Sequence, residues 1–435
     1  MFKNKFLNNT SWILGGKIFQ MVISLLISTL TARYLGPSNY GIINYTNSYI
    51  AFFASVCTLG LNGIIVKEFV CNREKEGEII GTVIVMRLCS SIVSMIMIGL
   101  LIKQISGGDS LIVKVAMLQS VNIIFASFDT INFWYQSKLM SKVSTIIQSI
   151  AYIVMTLYRI IILILGKDVT WFAFAVSLDT MIVGILLFIS YQKNKSVPIR
   201  FSKKWIKILL KQSAPFIISE IMITVYGHMD KIMIGAMLDQ TSVGLYATAV
   251  TITGLWNFIP VAFLDSARPV IMEEKLKNEQ QYIKRLKQLY AFIIWLSFAY
   301  ALCMTIVSKY VILILYGKAY LGARDALVIV VWYCAFSYLG AAKNIWIICE
   351  KKVKYEMIFT ILGAIANISL NFVLIPQWGI VGAAVATLLT QIFTNFIVMA
   401  LFKETRLNAR LIVEAICLKD VIDVKMLKQR FKNKF

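Results

Sequence analysis

Basic side chains Lys17, Arg87, Arg159, Lys231 and Lys343 lie inside long apolar runs, as do the acids Asp129, Asp179, Glu220 and Asp230. A charge in hydrocarbon is costly, so each marks either an ion pair or a functional site. Helical spacing groups them with neutral polar residues. Lys17, Gln20, Ser24, Ser28 and Thr31 recur at three- and four-residue steps, and Asn44, Ser48, Ser55 and Asn62 form a second stripe. Glu220, Thr224, His228 and Lys231 share a third face, with Asp230 beside it; Tyr246, Thr253 and Asn257 form a shorter one. Ammonium groups on such faces would bind an anion, a phosphate or an acidic sugar. The competing reading is that Glu220 and Asp230 neutralise them and leave a merely polar tunnel.

Other charges read as structural. Folding back the runs on either side of a short loop brings Arg87 near the depth of Asp129, and Arg159 near Asp179, so both pairs are expected to be structural ion pairs. Arg33 sits at an outer helix end, where it either binds a head group or snorkels to the interface. Trp134, Tyr135, Trp256 and Trp346 could stack on sugar faces, but aromatic belts near span ends need no such function.

These residues must be held by membrane helices. The chain is 59% hydrophobic and 15% charged, with a mean hydropathy of +0.75, against roughly 25% charged in soluble domains. Crossing the hydrocarbon takes about 20 apolar residues as a helix, and the runs here are continuous, which excludes a β-barrel. About twelve spans are expected: 12–34, 41–66, 80–102, 111–135, 143–166, 169–191, 209–236, 241–265, 288–315, 324–349, 356–375 and 380–402. The first is too long for a cleaved signal, and residues 1–10 read as a cytoplasmic lead. Placed so, roughly 32 Lys and Arg fall inside against about 7 outside, which puts both termini in the cytoplasm. The net charge of +22 is then topological anchoring and attraction to anionic lipid heads, not nucleic-acid binding.

A long basic loop near residues 192–211 divides the spans six and six, giving lobes at 1–200 and 201–402 and a basic tail at 403–435. The tail's amphipathic stretch, 411–435, is expected to lie on the inner leaflet. Each half opens with a related hairpin, Arg33 to Tyr45 and Asp230 to Ala247, and a third variant runs from Pro376 to Ala384. Such repeats are common in transporters, whose sites lie where the repeats meet. One histidine, scattered cysteines without a CxxC pair and no nucleotide-binding motif leave no metal, redox or ATP chemistry visible, and no cofactor is expected. The short external loops argue against a membrane glycosyltransferase or polymerase.

Arg33, Leu35, Gly36 and Gly41, then Asp230, Lys231, Ile234 and Gly235 with Val243, Gly244, Tyr246 and Ala249, and finally Asn371, Pro376, Gly379, Gly382, Ala383 and Ala384, resemble the motifs of Wzx-type polysaccharide flippases. These belong to the multidrug/oligosaccharidyl-lipid/polysaccharide exporter superfamily. The resemblance runs from residue 8 to about 402. It implies two six-helix lobes in a V shape around a central cavity. It also implies a non-enzymatic role: translocating undecaprenyl-diphosphate-linked O-antigen or capsule repeat units across the bacterial inner membrane by alternating access. The implied partners are the lipid-linked oligosaccharide, membrane lipids, a coupling ion (H+ or Na+) and the polysaccharide polymerase with its chain-length machinery. A cation-coupled multidrug exporter of the same superfamily is the alternative, but its cavity should be net acidic, whereas Lys17 and Lys343 pull the other way.

Overall fold

Inside a bilayer there is no water to bond the amides of so apolar a chain, so each long run must satisfy its own backbone. The computed structural model describes residues 2–194 and 197–418, with side chains from residue 23 onward. Among them are helices and turns and no strand. The chain divides into two compact units between Gly244 and Leu245. The first holds α1 (Phe2–Cys57), α2 (Ile65–Cys71), α3 (Glu76–Ile105), α4 (Ser110–Ala126), α5 (Thr130–Ser137), α6 (Ser141–Ile164), α7 (Val169–Asn194) and α8 (Lys203–Met237). α9 (Gln240–Gly254) straddles the division. The second unit continues with α10 (Phe258–Lys277), α11 (Glu279–Leu315), α12 (Arg324–Cys349), α13 (Val353–Ile392), α14 (Val398–Leu401) and α15 (Arg406–Ile416).

Among the described residues, eight helices are long and apolar enough to cross a membrane, or nine when the bent pair α9 and α10 counts as one span. Within α1 and α13 the divisions expected between 12–34 and 41–66, and between 356–375 and 380–402, fall at non-helical breaks. The breaks are Gly36 (φ 72, ψ 170) and Gly379 (φ 57, ψ −136), each with a proline close by. Only glycine adopts these backbone angles without strain.

Within the first unit α8 packs along α1. A Cβ on Gly41 would overlap the Gln240 carbonyl, one on Gly244 the Pro37 carbonyl, and one on Gly235 the Tyr45 ring. Glycine at these points lets helix backbones approach to contact. The basic linker is also tied down. Arg200 N–H donates to the Gly77 carbonyl at 3.1 Å, and Ser202 N–H to Thr82 Oγ1 at 3.0 Å.

The first unit's core gathers Phe69, Ile79, Ile80, Val83, Trp134, Tyr191 and Leu209. In the second, Tyr282, Tyr290, Phe359, Met399 and Ile412 come together. The tail helix α15 buries Leu411 and Ile412 against this core. It is pinned to α11 by Lys287–Glu414 at 2.5 Å and by Tyr290 OH donating to Asn408 Oδ1 at 2.7 Å. The start of the expected interfacial stretch thus covers protein, and the remainder, 419–435, lies outside the described residues.

The tight approach of α1 to the start of α9 sets a contrast. Gly41→Ala should lower stability by at least about 2 kcal/mol, since the new methyl meets rigid backbone. Gly227→Ala should be neutral, because nothing lies within 4 Å of its Cβ position. Thermal unfolding of both variants in detergent checks this.

Candidate functional site: two interrupted spans

The span 41–66 is not one helix. α1 ends at Cys57, Leu59 and Gly60 both take left-handed angles (φ 53 and 62), and a 3-10 turn at Leu61–Gly63 leads into α2. A left-handed leucine is strained, and such strain persists only where surroundings impose it. Here Gly60 is pressed on α8, where an added Cβ would lie 2.6 Å from Ile217 N and 2.7 Å from the Ser213 carbonyl. The facing span 110–137 also loosens, into a 3-10 turn at Ser127–Asp129. Backbone that leaves the helix at membrane depth is tolerated where protein buries it or where it lines a wet cavity.

Arg87 of α3 fills the gap. Its side chain is 4% exposed, donating from Nη2 to Asn62 Oδ1 at 2.7 Å and from Nη1 to Thr130 Oγ1 at 3.3 Å. Thr58, at the break itself, donates to Glu220 Oε2 of α8. Asp129 and Glu220 are the acids whose charges act on Arg87. A cavity of about 90 Å³ adjoins the group, lined by Cys57, Thr58, Arg87, Ser91 and Ser127 among others. That volume accommodates several waters. Arg87 was expected to pair with Asp129; it bonds instead to neutral partners on the two loosened segments, with both acids acting through space. Arg159 likewise acts on Asp179 through space.

The remaining expected site residues are spread more widely. Lys17 and Gln20 lie outside the described side chains. Ser24 and Arg33 are exposed, and Ser28 meets Tyr40 OH at 3.3 Å. Asn44, Ser48 and Thr224 donate to carbonyls of their own helices, those of Tyr40, Asn44 and Glu220, so part of each polar stripe is satisfied locally. On α8, Asp230 is buried and half-buried Lys231 and His228 sit beside it, Asp230 and Lys231 acting on each other electrostatically. Lys343 is enclosed. It is 0% exposed, bridging to Glu356 at 3.0 Å, donating to Asn395 Oδ1 at 3.2 Å and lying over the Phe359 ring. A π-helical turn, Phe393–Ile397, brings Asn395 there, against Gly340.

The second unit has its own broken span. α9 and α10 meet at 45°. The N–H groups of Leu255, Trp256 and Asn257 bond three residues back, to Ile252, Thr253 and Gly254. Pro260 accounts for this, since its ring crowds the carbonyl four residues earlier, that of Trp256. Beside the break Trp256 stacks on Tyr300, centroids 4.4 Å apart and planes at 5°, and Tyr338 donates to Asn257 Oδ1. Neither interruption was expected. Gly60 within 41–66, and Gly254 with Pro260 within 241–265, were the available signals. Among the described residues no group of three or more His, Cys, Asp or Glu could hold a metal ion.

Removing the Arg87 guanidinium takes away the donor to Asn62 Oδ1 and the buried positive charge that faces Asp129 and Glu220. Arg87→Ala should therefore cost about 3–5 kcal/mol, and adding Asp129→Asn and Glu220→Gln should recover part of it. Thermal midpoints in detergent read both effects; a single variant as stable as the parent contradicts this role.

The family described as polysaccharide biosynthesis protein matches residues 6–274. Two Haloferax volcanii proteins are similar over 173 residues: a probable low-salt glycan biosynthesis flippase, Agl15, at 27% identity, and a probable flippase, AglR, at 25%. Each alignment covers 38% of this chain and 35–36% of the relative, so the chain spans about a third of the length of these curated proteins. Among solved structures, lipid II flippase MurJ in an inward closed conformation aligns with a TM-score of 0.71 and 15% identity, covering 97% of this chain and 92% of that one. An inward-facing multidrug resistance MATE transporter of the MOP superfamily aligns at 0.65 and 15%, covering 91% and 96%. The all-helical fold is thus the one these transporters share, and with the match over residues 6–274 the chain belongs to the polysaccharide biosynthesis protein family.

Proposed function

We infer that this protein is a flippase that carries the polar head of a lipid-linked oligosaccharide across a membrane while the lipid tail stays in the bilayer. The observation that carries this reading is the family match over residues 6–274. The interrupted span at Thr58–Gly60 supports it, because discontinuous spans mark binding sites in transporters. The substrate class is an undecaprenyl-diphosphate-linked repeat unit for O-antigen or capsule, and the setting a bacterial inner membrane with both termini cytoplasmic.

A diphosphate and several sugars cannot enter hydrocarbon unaided. On this reading, Lys231 and Arg87, with Lys17 on the first stripe, offer the cationic groups a diphosphate needs, and Glu220 or Asp230 carries the returning H+ or Na+. Lys343, saturated by Glu356 and Asn395, holds α12 and α13 together instead. An interior-negative potential favours outward movement of about two negative charges by roughly 4–5 kcal/mol per 100 mV. The basic groups of the first unit disfavour an organic-cation exporter.

Proteoliposomes carrying a fluorescent undecaprenyl-diphosphate oligosaccharide test the proposal. The protein should move the probe, several-fold faster with the potential aligned than at zero, and Lys231→Ala and Lys17→Ala should reduce export of surface polysaccharide in cells. Flux indifferent to both potential and ion gradients contradicts the driving force. Full export by both lysine variants contradicts the cationic site.

A further inference from the structure

The aromatic residues fall into two classes. Trp134, Tyr135 and Trp346 are 3%, 0% and 2% exposed and serve packing. Trp256 is only half-buried, and its place well inside the span 241–265 is wrong for an interfacial belt, which sits at span ends. It lies on the backbone break of the second unit, one face against Tyr300. Asn257 beside it is exposed. Its Oδ1 accepts from Tyr338, while its Nδ2 has no hydrogen-bond partner among the described residues. Trp256 Nε1 is buried without an acceptor as well.

Physical chemistry narrows what can meet this patch. An exposed carboxamide beside an interrupted backbone is poorly matched to acyl chains, since each unsatisfied group in hydrocarbon costs several kcal/mol. A stacked aromatic pair with an adjacent carboxamide suits a ligand with both an apolar face and polar edges. A pyranose ring has that form, its C–H face flat and its hydroxyls equatorial. A diphosphate does not; it calls for cations, and the break at Leu255–Asn257 carries none.

We propose that Trp256, Tyr300 and Asn257 form a carbohydrate-recognition platform, with the ring of one sugar residue laid on the Trp256–Tyr300 pair and its hydroxyls bonded to the Asn257 carboxamide. This rests on the flippase reading and adds the part of the substrate that the second unit selects: the glycan, as distinct from its diphosphate.

Two probes separate the roles in proteoliposomes of the full chain: undecaprenyl diphosphate bearing an oligosaccharide, and undecaprenyl diphosphate bearing none. Trp256→Ala and Asn257→Ala should slow the glycosylated probe by about tenfold and leave the bare probe within about twofold of the parent. Trp256→Phe, which keeps an aromatic face, should restore most of the rate. A binding titration of the free oligosaccharide in detergent should weaken in Trp256→Ala in the same proportion. Equal slowing of both probes, or an unchanged rate for the glycosylated probe, overturns the platform while leaving the flippase reading standing. A parent protein that moves neither probe overturns both.

Discussion

Hydrocarbon cannot satisfy a broken peptide backbone, and that constraint organises this molecule. Where a span leaves the α-helix, protein groups or water must take over its hydrogen bonds. In the first unit tight turns do this, Leu59 N–H donating to the Val56 carbonyl and Leu61 N–H to that of Thr58, with Gly60 N–H on Thr58 Oγ1. Arg87 then ties the side chains of Asn62 and Thr130 across the two loosened segments, and Thr58 reaches Glu220 of α8. In the second unit Pro260 forces the break, the N–H groups of Leu255, Trp256 and Asn257 turn to carbonyls three residues back, and Tyr338 donates to the Asn257 side chain beside it. Neither arrangement is the cheapest way to cross a membrane. An uninterrupted apolar helix would be more stable, so the interruptions point to function.

Two buried cations show how environment separates roles. Lys343 and Arg87 are both almost wholly enclosed. Lys343 meets Glu356 and Asn395 directly at hydrogen-bond distance, over an aromatic ring, which leaves its charge with nothing further to attract. Arg87 binds neutral oxygens and borders a cavity, with its opposing charges held farther off. A charge compensated at a distance keeps field available to a passing ligand; one compensated at contact acts as a strut. The break at Leu59 and Gly60 is held against the α8 backbone at Ser213 and Ile217.

Much of the fold was legible in the chain. Continuous apolar runs gave the helices, and Gly36 and Gly379 marked the hairpins, where the backbone leaves the helix. That α8 lies along α1 was not legible, because the contact is set by glycines far apart in sequence. The polar stripes were visible from spacing, but spacing cannot say that Ser48 and Thr224 would turn back onto their own helices. Depth matching put Arg87 and Asp129 in one neighbourhood and missed that Asn62 would reach the guanidinium first. The two breaks escaped notice because a hydropathy window averages over three residues of turn. Gly60 and Pro260 carry that information locally, and only where a helix is already assumed does either one stand out.

The central claim is that both interruptions are polar sites at membrane depth. In a cysteine-free background, single cysteines at residues 62 and 257 can be compared with cysteines at the exposed apolar positions Ile92 and Ile306, using a membrane-impermeant thiol reagent on the protein in lipid bilayers. Labelling is expected at 62 and 257, slowed by lipid-linked oligosaccharide, and none at 92 or 306. Labelling at 62 and 257 no faster than at 92 and 306 would contradict it.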